Sequence, residues 1–184
     1  ILPYWAQAGG AKAVGERLSD PEVRARLRKD WEENRAEWEN RGGMRDWTDL
    51  LITDCGGPRP DVEGKNVAEI AADEGKDPLQ TAFDLIVVSE GQVECMCFGQ
   101  LEDNVRILMR HPLVVVCSDS ESLAPYGVLA RGKPHPRYYG TFPRVLGHYV
   151  REEGVLSLEE AVKKMTSISA ERFGLSDRGM IREG

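Results

Sequence analysis

Four consecutive apolar residues, Leu113-Val114-Val115-Val116, interrupt a chain whose other hydrophobic positions mostly recur every three or four residues. Such a run predicts a short strand, Leu113 to Cys117, buried on both faces as in a parallel sheet. It stops at Ser118-Asp119-Ser120, leaving one carboxylate at the strand's C-terminal end. Upstream, the spacing predicts mainly helices. A short one covers Ala11 to Leu18, and Ser19-Asp20-Pro21-Glu22 reads as a capping box opening the next. Val23, Leu27, Trp31 and Trp38 give that helix a narrow apolar stripe before Gly42-Gly43 ends it. Asp49 to Thr53 predicts a strand. Asn66 caps a helix that Gly75 closes, and Asp77-Pro78 opens another, with Leu79, Ala82, Phe83, Ile86 and Val87 facing a core. Gln92 to Phe98 then reads as a strand and Glu102 to Arg110 as a helix. Alternating helix and strand is the signature of a parallel α/β unit.

Beyond Asp119 the periodicity lapses from Ser120 to Tyr139, a stretch broken by Pro125, Gly127, Gly132, Pro134 and Pro136, with Gly140 following. Loops of this length without structure of their own are uncommon and often functional. This one carries Arg131, Lys133, His135 and Arg137, which suit either a solvated loop or an anion-binding one. Helices follow at Thr141 to Glu153, with Val145, Leu146, Tyr149 and Val150 inward, and from the capping box Ser157-Leu158-Glu159-Glu160 to Thr166. Ser169 to Phe173 makes a last turn or two. In barrel-type α/β enzymes the C-terminal ends of strands carry the chemistry, which singles out Asp119. An Asp after a strand also commonly caps a turn or the next helix.

The charge balance narrows the function classes. The 184 residues carry a net charge of −7, with Lys and Arg mixed among acids, which speaks against nucleic-acid binding. No apolar run approaches membrane-spanning length and no signal peptide is present, so a cytoplasmic protein without a membrane partner is expected. The chain opens on Ile1 and ends at Gly184 within a turn-like stretch, as expected of a piece of a longer polypeptide. Cys55, Cys95, Cys97 and Cys117 form no Cys-x-x-Cys pair and read as free thiols in a reducing compartment. Cys95 and Cys97 are expected on opposite faces of their strand, which would argue against joint chelation.

Longer strings add a resemblance. They are His111-Pro112 before the apolar run and Ser118-Asp119, Pro134-His135-Pro136-Arg137, Gly140-Thr141-Phe142-Pro143-Arg144-Val145-Leu146-Gly147, Leu158-Glu159-Glu160-Ala161-Val162 and Met165-Thr166-Ser167. With them the chain resembles the C-terminal part of the catalytic domain of the metal-dependent amidohydrolase superfamily, in particular the N-acyl-D-amino-acid deacylases (D-aminoacylases). The likeness is close from about Leu79 to Gly184 and looser over Leu2 to Gly10, Ser19 to Gly43 and Asn66 to Asp77. It implies part of a distorted (β/α)8 TIM barrel of α/β class. Residues 79–184 would supply its last strands and helices, and residues 1–78 a helical, lid-like insertion over the mouth. It also implies zinc as cofactor, held by His and Cys side chains of earlier strands, and an N-acyl amino acid as small-molecule substrate. The Asp that ends the family's last barrel strand falls on Asp119. Zinc would polarise the acyl carbonyl and lower the pKa of its bound water from ~16 toward ~7. Asp119 would take the water's proton as general base and return it to the departing amine.

Departures from the family's pattern qualify this. Its His-x-His, two later His ligands and bridging Cys are absent, leaving His111 at the strand's start, His135 in the loop and His148 on the following helix. A zinc centre needs three or four converging ligands. The chain alone is therefore expected to bind zinc weakly or not at all, with Asp119 at most a weak or second-site ligand, and to lack deacylase activity. Arg131 and Arg137 are candidates for binding a substrate carboxylate, a group that suits a bidentate Arg, and His135 lies nearest the expected mouth. Cys97 falls where the D-aminoacylases tend to carry Tyr, which would remove a hydroxyl donor from the substrate pocket. Another amide or cyclic-amide hydrolase of the superfamily is a close variant of this reading. The alternative from a different class is a non-catalytic α/β interaction module in which Asp119 caps a turn. A partial barrel would expose an apolar face, to be covered by the rest of the barrel or by a second copy of the chain.

Overall fold

Four helices among the described residues of the computed structural model begin where the sequence places a capping residue. It describes residues 2–34, 44–130 and 132–183; Trp38, Gly42-Gly43 and Arg131 lie outside the described residues. The fold divides into two units, residues 1–99 with 131–135, and residues 100–130 with 136–184.

The first unit contains α1 (Tyr4–Gln7), α2 (Gly10–Leu18), α3 (Pro21–Asn34), β1 (Leu50–Asp54), α4 (Val67–Glu74), α5 (Pro78–Val88) and β2 (Glu94–Cys97). Asp20, not Ser19, caps α3: its carboxylate accepts the Glu22 N–H at 2.8 Å, while the Ser19 hydroxyl donates back to Gly15 at 3.2 Å. The stripe on α3 is real where it is described. Leu27 is buried, and half-buried Val23 and Trp31 pack with Leu18, Leu79 and Phe83. Asn66 and Glu69 exchange side-chain and backbone bonds, both at 2.9 Å, at the start of α4, which ends on Gly75 at φ +64°. Asp77 accepts the Gln80 N–H at 2.9 Å to cap α5.

The strands depart from expectation. β1 and β2 pair antiparallel, with Leu50 opposite Cys97 and Ile52 opposite Cys95, and no parallel pair occurs among the described residues. Two helices, α4 and α5, lie between them, unlike the single-helix crossover that a parallel pair uses, and the chain re-enters the sheet in the opposite direction. Cys95 and Cys97 also do not face apart. Residues two apart on a strand share a face, and both line one largely apolar cavity of about 560 Å³ together with Leu50 and Ile52. No helix among the described residues is long and apolar enough to cross a membrane.

The second unit contains α6 (Glu102–Arg110), α7 (Arg137–Arg144), a π-helical stretch (Val145–Glu152), α8 (Leu158–Met165) and α9 (Ser167–Arg172). The helix expected from Thr141 begins four residues earlier. Pro143 lies inside it with no N–H to give the carbonyl four residues back, and the winding becomes π two residues later. Val145, Tyr149, Val155, Leu156 and Ala161 form the core, with half-buried Val105, Met109, Val116, Leu146, Val150 and Met165 against it. Ser157 and Glu160 cap α8 reciprocally, at 3.0 and 3.2 Å. Arg106 of α6 grips Glu153 through two bonds of 2.8 Å.

The buried strand expected at Leu113 to Cys117 does not form. Leu113 is 69% exposed, Val114 to Val116 are half-buried, and no described strand pairs with them. Backbone groups without a ladder must bond elsewhere. Here the Val116 N–H donates to the Lys164 carbonyl at 3.2 Å, and the Lys164 ammonium donates to the carbonyls of His111 and Val114 at 2.6 and 2.7 Å.

Two outcomes are expected. Gly91 has φ +78° against the backbone of Ala11, where a Cβ would overlap the Ala11 carbonyl. Gly91→Ala should therefore destabilise the fold by about 1–3 kcal/mol, read by denaturant unfolding. The Arg106 hydrogen bonds hold the Glu153 carboxyl at about 2, below its ordinary 4.5. A depressed carboxyl contributes stability that is fully present above the unfolded value and lost as pH falls from 4.5 toward 2. Arg106→Met should remove that acid-limb slope, measured as unfolding midpoints from pH 5 to 2.

Candidate functional site

Asp119 ends the extended segment in a left-handed conformation, φ +47°, which Asp tolerates better than most residues. Its N–H points back at the Cys117 sulfur, 3.4 Å away, and the flanking Ser118 and Ser120 hydroxyls bond each other at 2.8 Å. The tight reversal turns the carboxylate outward, 81% exposed, with Oδ2 3.1 Å from an Arg137 guanidinium nitrogen. Arg137 is the first residue of α7, and its guanidinium lies 5.6 Å from the Tyr138 ring centroid. Asp119 and Arg137, both singled out by the sequence, are thus brought together within the second unit. One offers an open carboxylate, the other a cation with a planar fork.

Cys97 is half-buried on β2 in the first unit, where burial pushes its thiol up. His135 also belongs to the first unit, through the 131–135 segment. Its neighbour Lys133 is committed to backbone there: the Lys133 N–H donates to Thr53 at 2.7 Å and its ammonium to Glu63 at 2.8 Å. Lys133 and His135 thus belong to the first unit and Arg137 to the second. The His111 ring accepts the Leu113 N–H at 3.3 Å, and His148 lies between Glu152 and Glu153, at 2.7 and 2.9 Å.

Among the described residues no three His, Cys, Asp or Glu side chains converge as metal ligands do. One carboxylate beside an arginine does not suit zinc, which takes three or four N, O or S ligands. What the pair can do by itself is accept a proton at Asp119 and hold a carboxylate at Arg137. Lys164 was not legible as part of this region. The available signal was its place three residues after buried Ala161, on the inward face of α8.

Residues 5–184 match the Amidohydrolase family. The chain belongs to that family. It is 39% identical to the D-aminoacylase of Alcaligenes xylosoxydans xylosoxydans over 135 residues, 73% of this chain and 25% of the relative. It is 40% identical to that organism's N-acyl-D-glutamate deacylase over 127 residues, 69% of this chain and 24% of the relative. A crystal structure of N-acyl-D-glutamate deacylase from Bordetella bronchiseptica, complexed with zinc and a phosphonate mimic of the tetrahedral intermediate, is similar to it at TM-score 0.62 and 36% identity. That match covers 74% of this chain and 26% of the other. This amidohydrolase chain thus spans about a quarter of the length of the relatives it matches.

The Asp119–Arg137 pair is half exposed, and such pairs contribute roughly 0–1 kcal/mol. Arg137→Met should leave the unfolding free energy within that range, a result that separates any effect on activity from an effect on folding.

Proposed function

We propose that this chain is the C-terminal part of the catalytic domain of a zinc-dependent amidohydrolase that hydrolyses the amide bond of N-acyl-D-amino acids. The observation that carries the reading is the open Asp119 carboxylate 3.1 Å from Arg137, in a chain similar to deacylases over more than two thirds of its length. Asp119 acts first as general base. It takes a proton from water as the water oxygen bonds to the acyl carbon, then gives that proton to the amine nitrogen as the C–N bond breaks. The products are a carboxylic acid and a free D-amino acid, and the carboxylate of Asp119 is restored. Arg137 binds the substrate's α-carboxylate through its guanidinium fork, setting the scissile amide beside Asp119.

The zinc of the whole enzyme is held by side chains other than those described here. In the whole enzyme residues 79–184 close a TIM barrel and residues 1–78 cover its mouth. Arg131, His135 and Cys97 are then substrate-pocket residues that depend on this assembly. The exposed Ile107, Leu108 and Leu113 fit the same reading, since the remainder of a barrel would bury them.

The test is hydrolysis of N-acetyl-D-amino acids, neutral and acidic, by the full-length enzyme. D-substrates should be cleaved in preference to their L-enantiomers. Asp119→Asn should lower kcat by about 10²–10⁴-fold with the metal retained. Unchanged kcat in that variant, or no amide hydrolysis at all, would refute the reading.

A further inference from the structure

We infer that Lys164 is a positioning residue for Asp119, acting through the backbone of residues 111–116; the inference rests on the reading of Asp119 as the general base. Lys164 is 6% exposed, on the inward face of α8. A lysine is seldom buried so far unless its ammonium is paired, because desolvating the charge is costly. Its ammonium donates to two main-chain carbonyls, His111 at 2.6 Å and Val114 at 2.7 Å. The Val114 N–H also donates to the His111 carbonyl at 3.1 Å, closing a turn beneath the ammonium. At the other end of the same residue, the Lys164 carbonyl accepts the Val116 N–H at 3.2 Å. One residue thus fixes three points along the run that leads to Asp119.

Core packing alone does not call for a cation at this position. A Met of similar length would fill the same space without the desolvation cost. The ammonium supplies what packing cannot, donors for the carbonyls of His111 and Val114. Asp119 lies three residues beyond the last of these bonds, in a left-handed turn whose place depends on the segment before it. Displacing a catalytic group by about 1 Å can cost on the order of 100-fold in rate. Lys164 therefore matters to turnover without touching substrate.

The experiment is a double-mutant cycle in the full-length enzyme with Lys164→Met, Asp119→Asn and both together. Lys164→Met should lower kcat per folded enzyme by about 10–100-fold, with KM within about threefold. In the Asp119→Asn background the same change should have no further effect on kcat, since it acts through Asp119. Lys164→Arg, which keeps the charged donors, should restore most of the rate. Should Lys164→Met not fold, Lys164→Gln, whose amide reaches one bond less far, takes its place in the cycle. Undiminished kcat in the neutral variant, or an equal loss in both backgrounds, would overturn the inference while leaving Asp119 as the base. Full activity of Asp119→Asn would instead remove the reading on which it rests.

Discussion

Main-chain N–H and C=O groups must find partners, and in the second unit three of those of residues 111–116, flanked by no described strand, find them at one residue, Lys164 with its buried ammonium. Lys164 gives the segment two donors and one acceptor, all from α8. The Ser157–Glu160 capping box starts α8, and Ala161 seats it in the core of Val145, Tyr149, Val155 and Leu156. Half-buried Val116 of the segment joins that core. The segment that leads to Asp119 is thereby linked to the packing of a helix that starts 39 residues after that aspartate in the chain. Arg137, at the start of α7, meets the Asp119 carboxylate at 3.1 Å.

The first unit rests on different physics. Its helices α3, α4 and α5 start on Asp20, Asn66 and Asp77, each accepting a backbone N–H in the first turn. Its two strands turn Leu50, Ile52, Cys95 and Cys97 toward one apolar cavity. Residues 131–135 join this unit through Lys133, which spends both its backbone and side-chain donors on Thr53 and Glu63. The charge of Lys133 is thus taken up by a main-chain carbonyl of its own unit, and a positive charge there is no sign of an anion site in itself.

Local signals were legible in the sequence and non-local ones were not. Asn66 with Glu69, Asp77 before Pro78, and Ser157 with Glu160 act over one helical turn, so spacing alone located three helix starts. The Leu113-to-Cys117 run was misread as a strand because apolar spacing reports which side chains seek burial, not which chain supplies the ladder. The direction of β2 depends on two intervening helices rather than on its own residues. The shared face of Cys95 and Cys97 follows from the period of two and needed no structure. Asp119 is singled out by its place at the end of the apolar run as well as by resemblance, and Arg137 by its place in the cationic loop. Their approach to 3.1 Å, eighteen positions apart across an irregular loop, had no periodic signature. Lys164 was hidden for another reason: a lysine among exposed charges on α8 reads as solvated until its partners are known.

Kinship and geometry bear on different parts of the proposed chemistry. The kinship is with deacylases, one of them solved with zinc, whereas the described residues of this chain bring no three metal-ligating side chains together. The proposed function divides the labour: this stretch would carry the general base, and the metal would be held by residues outside it. Zinc content per chain, measured in parallel on this chain and on the full-length enzyme, tests that division most directly. Stoichiometric zinc in the full-length enzyme and none retained by this chain is the predicted result. Stoichiometric zinc on this chain alone would contradict it.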